Sequence, residues 1–93
     1  MASEKEIELY LKNRIEALGG YCRKWIAPGH NGVPDRIILL KGKAAFIETK
    51  APDKKARRSQ EKEMSLITAQ GFYAGVIDTR EKVDRLIAEM TRP

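Results

Sequence analysis

The sequence predicts an α/β fold in which helices flank a mixed β-sheet, in the order αβββαβα. Two observations predict it: apolar residues recur at helical spacing in three segments, and short apolar runs bounded by turn residues lie between these segments. The unbroken run Ile37-Ile38-Leu39-Leu40 favours a strand that is buried on both faces. The 93 residues allow one domain, spanning residues 1–93, with one modest core.

The first helix is predicted to begin at Ser3, because Glu6 follows three residues later as in a capping box. Its apolar face is formed by residues at helical spacing, and Gly19-Gly20 ends it. These apolar residues are Ile7, Leu11, Ile15 and Leu18. The segment Tyr21 to Ala27 is predicted to form the first strand.

A hairpin is predicted next. The composition of Pro28 to Gly32 indicates a loop. Asp35 to Leu40 and Ala44 to Lys50 are predicted as strands, and Lys41-Gly42-Lys43 as the turn between them.

The last part of the chain is predicted to add two helices and one strand. Ala51 to Arg58 indicates a basic loop, after which Ser59 is expected to cap a helix that ends near Gly71. Phe72 to Ile77 indicates a strand, and Thr79 is expected to open the final helix. The inward positions are Gln60, Met64 and Ile67 in the first of these helices, and Val83, Leu86, Ile87 and Met90 in the second.

The bulk composition favours an intracellular protein with an anionic partner. Eighteen Lys and Arg against thirteen Asp and Glu give a formal net charge of +5, which suggests a nucleic acid. Cys22 is the only cysteine, which excludes a disulfide framework and fits a reducing compartment. No apolar run approaches the roughly 20 residues that span a bilayer, so no membrane partner is expected.

Three charged residues interrupt the predicted hairpin, namely Asp35, Glu48 and Lys50. A Lys41-Gly42 turn places Asp35 directly opposite Glu48, whereas a Gly42-Lys43 turn places it opposite Lys50; both arrangements bring all three groups to one end of the hairpin. Two nearby carboxylates repel one another unless a proton or a cation intervenes, and Mg²⁺ prefers such oxygen ligands. The alternative is a structural ion pair of Asp35 with Lys50 or Arg36.

The ordered set of motifs resembles a known nuclease family. The spacing of Gly32-Val33-Pro34-Asp35 from Glu48-Thr49-Lys50 resembles the PD-(D/E)xK nuclease pattern. The chain as a whole resembles a stand-alone virus-type replication-repair nuclease (VRR-NUC) domain, with a restriction-endonuclease-like sheet. The matching features extend over nearly all of the chain: Ser3-Glu4, GVPDRI, FIETKAP, Ser59-Gln60, and Gly71-Phe72 before the late strand.

The resemblance implies a site. Asp35, Glu48 and the Thr49 carbonyl would be metal ligands for Mg²⁺, which Mn²⁺ could replace, and Lys50 would be the catalytic lysine. A first-helix glutamate completes the site in such nucleases; Glu4 is favoured by its place on the apolar face, and Glu8 is the second candidate.

Two further groups of residues complete the predicted site. The resemblance makes Gln60 a site residue that orients water, a metal ligand or the scissile phosphate. A basic cluster directly follows the active-site strand and is expected to contact the DNA backbone. It consists of Lys54, Lys55, Arg57 and Arg58.

The resemblance also implies an activity, a metal-dependent DNA endonuclease of phage or prophage type. The favoured substrate is branched DNA, cut by a homodimer similar in principle to the Holliday junction resolvases, because two symmetric strands suit two sites. Flap cutting is the alternative substrate. A non-catalytic nucleic-acid-binding module and a sequence-specific restriction-type enzyme are the rival functions.

Overall fold

A computed structural model describes residues 2–93 and confirms the predicted order αβββαβα. Ser3 caps the first helix, and Glu6 completes the predicted capping box. The elements are α1 (Glu4–Ala17), β1 (Tyr21–Lys24), β2 (Arg36–Leu40), β3 (Lys43–Thr49), α2 (Arg58–Ala69), β4 (Tyr73–Ile77) and α3 (Arg80–Met90).

The four strands form one mixed sheet in the order β1-β2-β3-β4. The pairs β1–β2 and β2–β3 are antiparallel, and β4 runs parallel to β3. Between β2 and β3 the turn is Lys41-Gly42, and both residues have positive φ, 53° and 79°, as a two-residue hairpin turn of type I′ requires. Because Arg36 pairs with Ile47, the next step of the ladder brings Asp35 opposite Glu48. This is the first of the two predicted registers.

One face of the sheet carries the core. Helices α1 and α3 pack against it, and alternate residues of the strands point toward them, including Ile38, Ala45 and Ile47, which have no exposed surface. The helices contribute Ile7, Leu11 and Ile15 from α1, and Val83, Leu86, Ile87 and Met90 from α3, as their spacing predicts. Leu18 was wrongly predicted on this face, because it is the C-cap of α1 and keeps 42% of its surface exposed.

Helix α2 lies on the opposite face and packs mainly on β4. Its buried residues are Gln60 and Met64, so the predicted inward face is confirmed at these positions. The rest of this face is more open, since Leu39 of β2 keeps 44% of its surface exposed. The polar end of β3 lies under the first turn of α2, where Gln60 contacts Glu48.

Two predicted boundaries differ from the structure by two residues or more, and the strand ends elsewhere differ by one at most. The first strand ends at Lys24 rather than at Ala27. Trp25 still donates its backbone N–H to the Asp35 carbonyl, but Pro34 comes next on the partner strand and has no N–H with which to continue the ladder.

The start of α2 also differs from the prediction. Arg57 is the N-cap, the helix begins at Arg58, and Ser59 is an exposed residue of the first turn without a capping bond. The backbone N–H of Arg57 is satisfied by the Gln60 side chain, whose Oε1 accepts it at 2.8 Å. The helix therefore starts earlier than a serine cap would place it. Thr79 does cap α3, because its hydroxyl accepts the Lys82 N–H.

Across residues 2–93, the helices are all too short or too polar to span a bilayer.

Candidate active site

Asp35 lies just before β2 and is held by Thr49 at the end of β3. The Thr49 backbone N–H donates to Asp35 Oδ1 at 3.2 Å, and the Thr49 hydroxyl donates to Oδ2 at 2.8 Å. Thr49 itself has no exposed surface. The carboxylate is therefore fixed by a neighbouring strand, and each oxygen keeps a free lone pair. The sequence assigned Thr49 only a carbonyl ligand, and its hydroxyl contact was missed.

Helix α1 brings two glutamates to Asp35. Carboxylate oxygens of Glu4, Glu8 and Asp35 all lie within 4.8 Å of one another. Glu4 and Glu8 are one helical turn apart and so share a side of α1. Glu4 is exposed, whereas Glu8 and Asp35 are half-buried. The structure thus brings both candidate glutamates to the same aspartate.

Glu48 lies on the α2 face of β3, outside this triplet. Its Oε2 accepts a hydrogen bond from Gln60 Nε2 at 3.0 Å and is 3.2 Å from Lys50 Nζ. Gln60 is 4% exposed, and both ends of its amide are engaged, because its oxygen accepts the Arg57 N–H. Glu48 therefore contacts both Lys50 and Gln60, which the sequence predicts beside it.

The pKa values of both strand carboxylates are raised. Burial is the main cause of the raised pKa of Asp35; Glu8 raises it further, whereas the two Thr49 hydrogen bonds oppose the shift. Burial also raises the pKa of Glu48, and the charge of Asp35 adds to this effect, against Lys50. Negative charge is thus held here at a free-energy cost that a bound cation would relieve.

Gly32 fastens the loop that carries Asp35 to helix α2. Its φ is +89°, and a Cβ built on it would lie 2.5 Å from the backbone C and O of Ser59 and 2.9 Å from the backbone N of Gln60. Glycine alone combines this conformation with such a close approach. The loop before Asp35 and the first turn of α2 are therefore in backbone contact.

Arg36 forms an ion pair that the sequence did not predict. Its side chain points to the α1 face, is almost fully buried, and donates from Nη2 to Glu8 Oε1. The predicted alternatives paired Asp35 with Lys50 or Arg36, but Lys50 bonds Glu48 and Arg36 bonds Glu8. Strand alternation could have placed Arg36 beneath α1, since it lies two residues before the core residue Ile38 on the same strand.

The basic cluster lies beside the site. Lys54, Lys55, Arg57 and Arg58 are all exposed, and none of them forms an ion pair with residues 2–93. Lys54 and Lys55 line a cleft of about 370 Å³ whose wall includes Val76, the β4 neighbour of Glu48. Four uncompensated cations thus flank the strand end that carries the carboxylates.

The donor set suits a hard divalent cation. The triplet offers only carboxylate oxygens. These ligands suit Mg²⁺ and Mn²⁺, whereas softer metal ions favour thiolate ligands. Neither His30 nor Cys22 belongs to this group. The residues present therefore fit a divalent metal.

Comparison with known proteins places this geometry in a family. No protein-family model matches the chain. A curated protein of Acyrthosiphon pisum secondary endosymbiont phage 1, named "Putative nuclease p44", is 37% identical over 79 residues, which are 84% of this chain and 85% of that protein. A solved structure described as "VRR_NUC domain" is 32% identical, with a TM-score of 0.83, over 94% of this chain and 97% of its own. The chain belongs to the VRR-NUC family.

A second solved structure, "VRR_NUC domain protein", shows the same fold with a TM-score of 0.77 at 19% identity, over 96% of this chain and 88% of its own. The match to the first structure takes in nearly the whole of both chains. The resemblance seen in GVPDRI and FIETKAP thus extends to the whole fold.

Proposed function

We propose that this VRR-NUC domain is a divalent-metal-dependent endonuclease that hydrolyses phosphodiester bonds in branched DNA. The observation that carries the proposal is the convergence of an acidic triplet, Glu4, Glu8 and Asp35, with Glu48 and Lys50 at one end of the hairpin. Membership of a nuclease family supports the hydrolytic activity. The exposed basic cluster supports a nucleic-acid substrate.

In this proposal Asp35, Glu48 and the Thr49 carbonyl hold the metal, together with one α1 glutamate. Bound Mg²⁺ or Mn²⁺ would polarise the scissile phosphate and lower the pKa of the attacking water. Lys50 orients that water and offsets the negative charge that develops on the phosphate. Gln60 holds Glu48 by donating to its carboxylate, and Thr49 holds Asp35. The residues Lys54, Lys55, Arg57 and Arg58 contact the DNA backbone.

A homodimer is part of the proposal. A four-way junction has two strands to cut, and a two-fold pair of chains supplies two acidic sites. Sedimentation velocity tests this directly, with a mass of twice 10.5 kDa expected for the free protein. An intracellular location in a phage-infected or bacterial cell is proposed with it, since the curated relative comes from a phage.

The test is cleavage of a labelled panel consisting of a four-way junction, a 5′ flap, a 3′ flap, a linear duplex and a single strand. Each substrate is incubated with Mg²⁺, Mn²⁺ or EDTA. We expect paired symmetric cuts in the junction that are lost with EDTA, with Asp35→Asn and with Lys50→Met. Glu16→Gln and Lys41→Met are matched controls, because Glu16 is exposed near the end of α1 and Lys41 is exposed in the hairpin turn, at the other end of β2 from Asp35, and both variants should cleave normally.

The other outcomes identify the rival functions. Cutting of flaps alone would retain the metal site and discard junction resolution. Cutting of RNA but not DNA would discard the proposed substrate. Tight binding of the panel without metal-dependent cutting would leave only a nucleic-acid-binding module.

A further inference from the structure

Arg36 is the one arginine of this domain that is almost fully buried, at 8% exposure. Its Nη2 bonds Glu8 Oε1, while its Nε is buried without a hydrogen-bond partner among residues 2–93. A charge is retained in a protein interior when it is paired, because its desolvation is otherwise costly. Glu8 is therefore the acceptor that keeps this guanidinium in place.

The glutamates at the start of α1 have different partners. Glu6 bonds the Ser3 N–H and lies 3.8 Å from Arg80. Glu8 is paired with Arg36. Within residues 2–93, Glu4 has no ion-pair partner, although its carboxylate belongs to the triplet with Asp35.

We propose that Arg36 is a positioning residue that binds Glu8, so that Glu4 rather than Glu8 is the α1 carboxylate free to hold the divalent metal with Asp35. This inference rests on the proposed function and deepens it, because it gives Glu8, the second candidate of the sequence analysis, a role of its own beside the favoured Glu4. Glu8 becomes the link through which β2 fixes the start of α1.

The strand geometry explains how one dipeptide serves both purposes. Arg36 begins β2 and shares the core face with Ile38, whereas Asp35 precedes the strand. Asp35 turns to Thr49 and the carboxylates, whereas Arg36 passes beneath α1 and binds Glu8. The guanidinium also balances one of the three negative charges of the triplet. The metal then meets two unpaired carboxylates instead of three.

The experiment is a double-mutant cycle on metal binding without DNA. Mn²⁺ is titrated by isothermal calorimetry into the wild type and into Glu8→Gln, Arg36→Met, the double variant Glu8→Gln/Arg36→Met, and Glu4→Gln. Circular dichroism checks that each variant is folded. The double variant matters most, because it removes both charges together and leaves neither one buried alone.

We expect Glu8→Gln to raise the Mn²⁺ dissociation constant about 10-fold or more, because it leaves an unpaired cation beside the site. The double variant should return to within about 2-fold of the wild type. Arg36→Met should not weaken Mn²⁺ binding, yet its kcat for DNA cleavage should fall, because α1 is no longer fixed. Glu4→Gln should weaken binding about 10-fold or more, and adding Arg36→Met should not restore it.

A double variant that binds Mn²⁺ as weakly as Glu8→Gln would overturn the inference, because Glu8 would then be a ligand itself. Normal binding by Glu4→Gln would overturn it as well. Failure of the proposed function looks different: the wild type binds Mn²⁺ but cuts no nucleic acid, and the cycle still decides the roles of Glu4 and Glu8. A wild type that binds no Mn²⁺ would overturn both.

Discussion

Strand β3 has two faces with opposite chemistry. Toward α1 and α3 it presents Ala45, Ile47 and Thr49, which have no exposed surface. Toward α2 it presents Phe46, Glu48 and then Lys50, and here the buried groups carry charge. The first face is stabilised by apolar burial, and the second is held by hydrogen bonds and a close ion pair at a cost in stability. Strand β3 thus serves the fold on one side and carries Glu48 on the other, while Thr49 at its end belongs to the core face and also holds Asp35.

The largest effect is expected from a cavity on the core face. Ile38→Ala should lower the free energy of unfolding by about 2–5 kcal/mol, because Ile38 is fully buried under α1 and α3. Urea denaturation measures it. The matched control is Leu39→Ala on the open face, where 44% of the residue's surface is already exposed, and its loss should be clearly smaller. Equal losses would mean that the two faces do not differ as described.

A second change tests the polar face. Gln60→Glu keeps an oxygen for the Arg57 N–H but replaces the amide that donates to Glu48 with a second carboxylate. Cleavage should fall about 10–100-fold, as expected when a group that orients a metal ligand is changed. Gln70→Glu, at the exposed end of the same helix, is the matched control. Unchanged cleavage by Gln60→Glu would remove Gln60 from the site.

The pH dependence of stability should also separate the faces. The pKa values of Asp35 and Glu48 are raised above their ordinary 3.8 and 4.5, so the folded, metal-free chain holds protons that the unfolded chain has lost. The contribution of these two groups to the free energy of unfolding must therefore fall as pH rises from the ordinary toward the raised pKa, and then stay level.

Denaturation in EDTA at a series of pH values, for the wild type and Asp35→Asn, isolates the contribution of Asp35. The wild type should lose stability relative to the variant as pH rises from 3.8 toward the raised pKa of Asp35. A relative gain would contradict the raised pKa of Asp35.

The smallest effects concern helix starts. Thr79→Ala should cost about 1 kcal/mol, because the hydroxyl accepts the Lys82 N–H. Ser59→Ala should stay within about 0.5 kcal/mol, because Ser59 is an exposed first-turn residue without a capping bond. Thermal unfolding of the two single variants compares them. A larger loss of stability for Ser59→Ala would indicate that Ser59 caps α2, as the sequence predicts.

The sequence predicted those parts of the site that depend on local rules. Strand alternation brings Asp35, Glu48 and Lys50 to one end of the hairpin in either predicted register, although only the structure decides that Asp35 lies opposite Glu48. Helical spacing turns Gln60 toward the sheet. These contacts follow from regular geometry. The element order and the apolar faces of α1 and α3 were predictable for the same reason.

The remaining contacts depend on how distant elements meet. The pair of Glu8 with Arg36 requires the rotation of α1 over β2, which a single sequence does not specify. The cap of α2 was mispredicted because serine is a common N-cap, whereas here Gln60 supplies the acceptor from inside the helix. The hydroxyl of Thr49 was missed because a threonine in a strand is ordinarily a packing residue.

The contact of Gly32 with the Ser59–Gln60 peptide bears on how such a chain can change length during evolution. Residues added around Asp53 would enlarge an exposed loop, and neither carboxylate would move. One residue added between Asn31 and Pro34 would break the backbone contact between the loop and α2, and it would displace both Asp35 and Gln60. We therefore expect homologues to carry insertions around Asp53 and to keep a constant length between Asn31 and Pro34. The sequence GVPD thus marks a contact between two segments that are distant in the chain, and it would not work as an isolated motif.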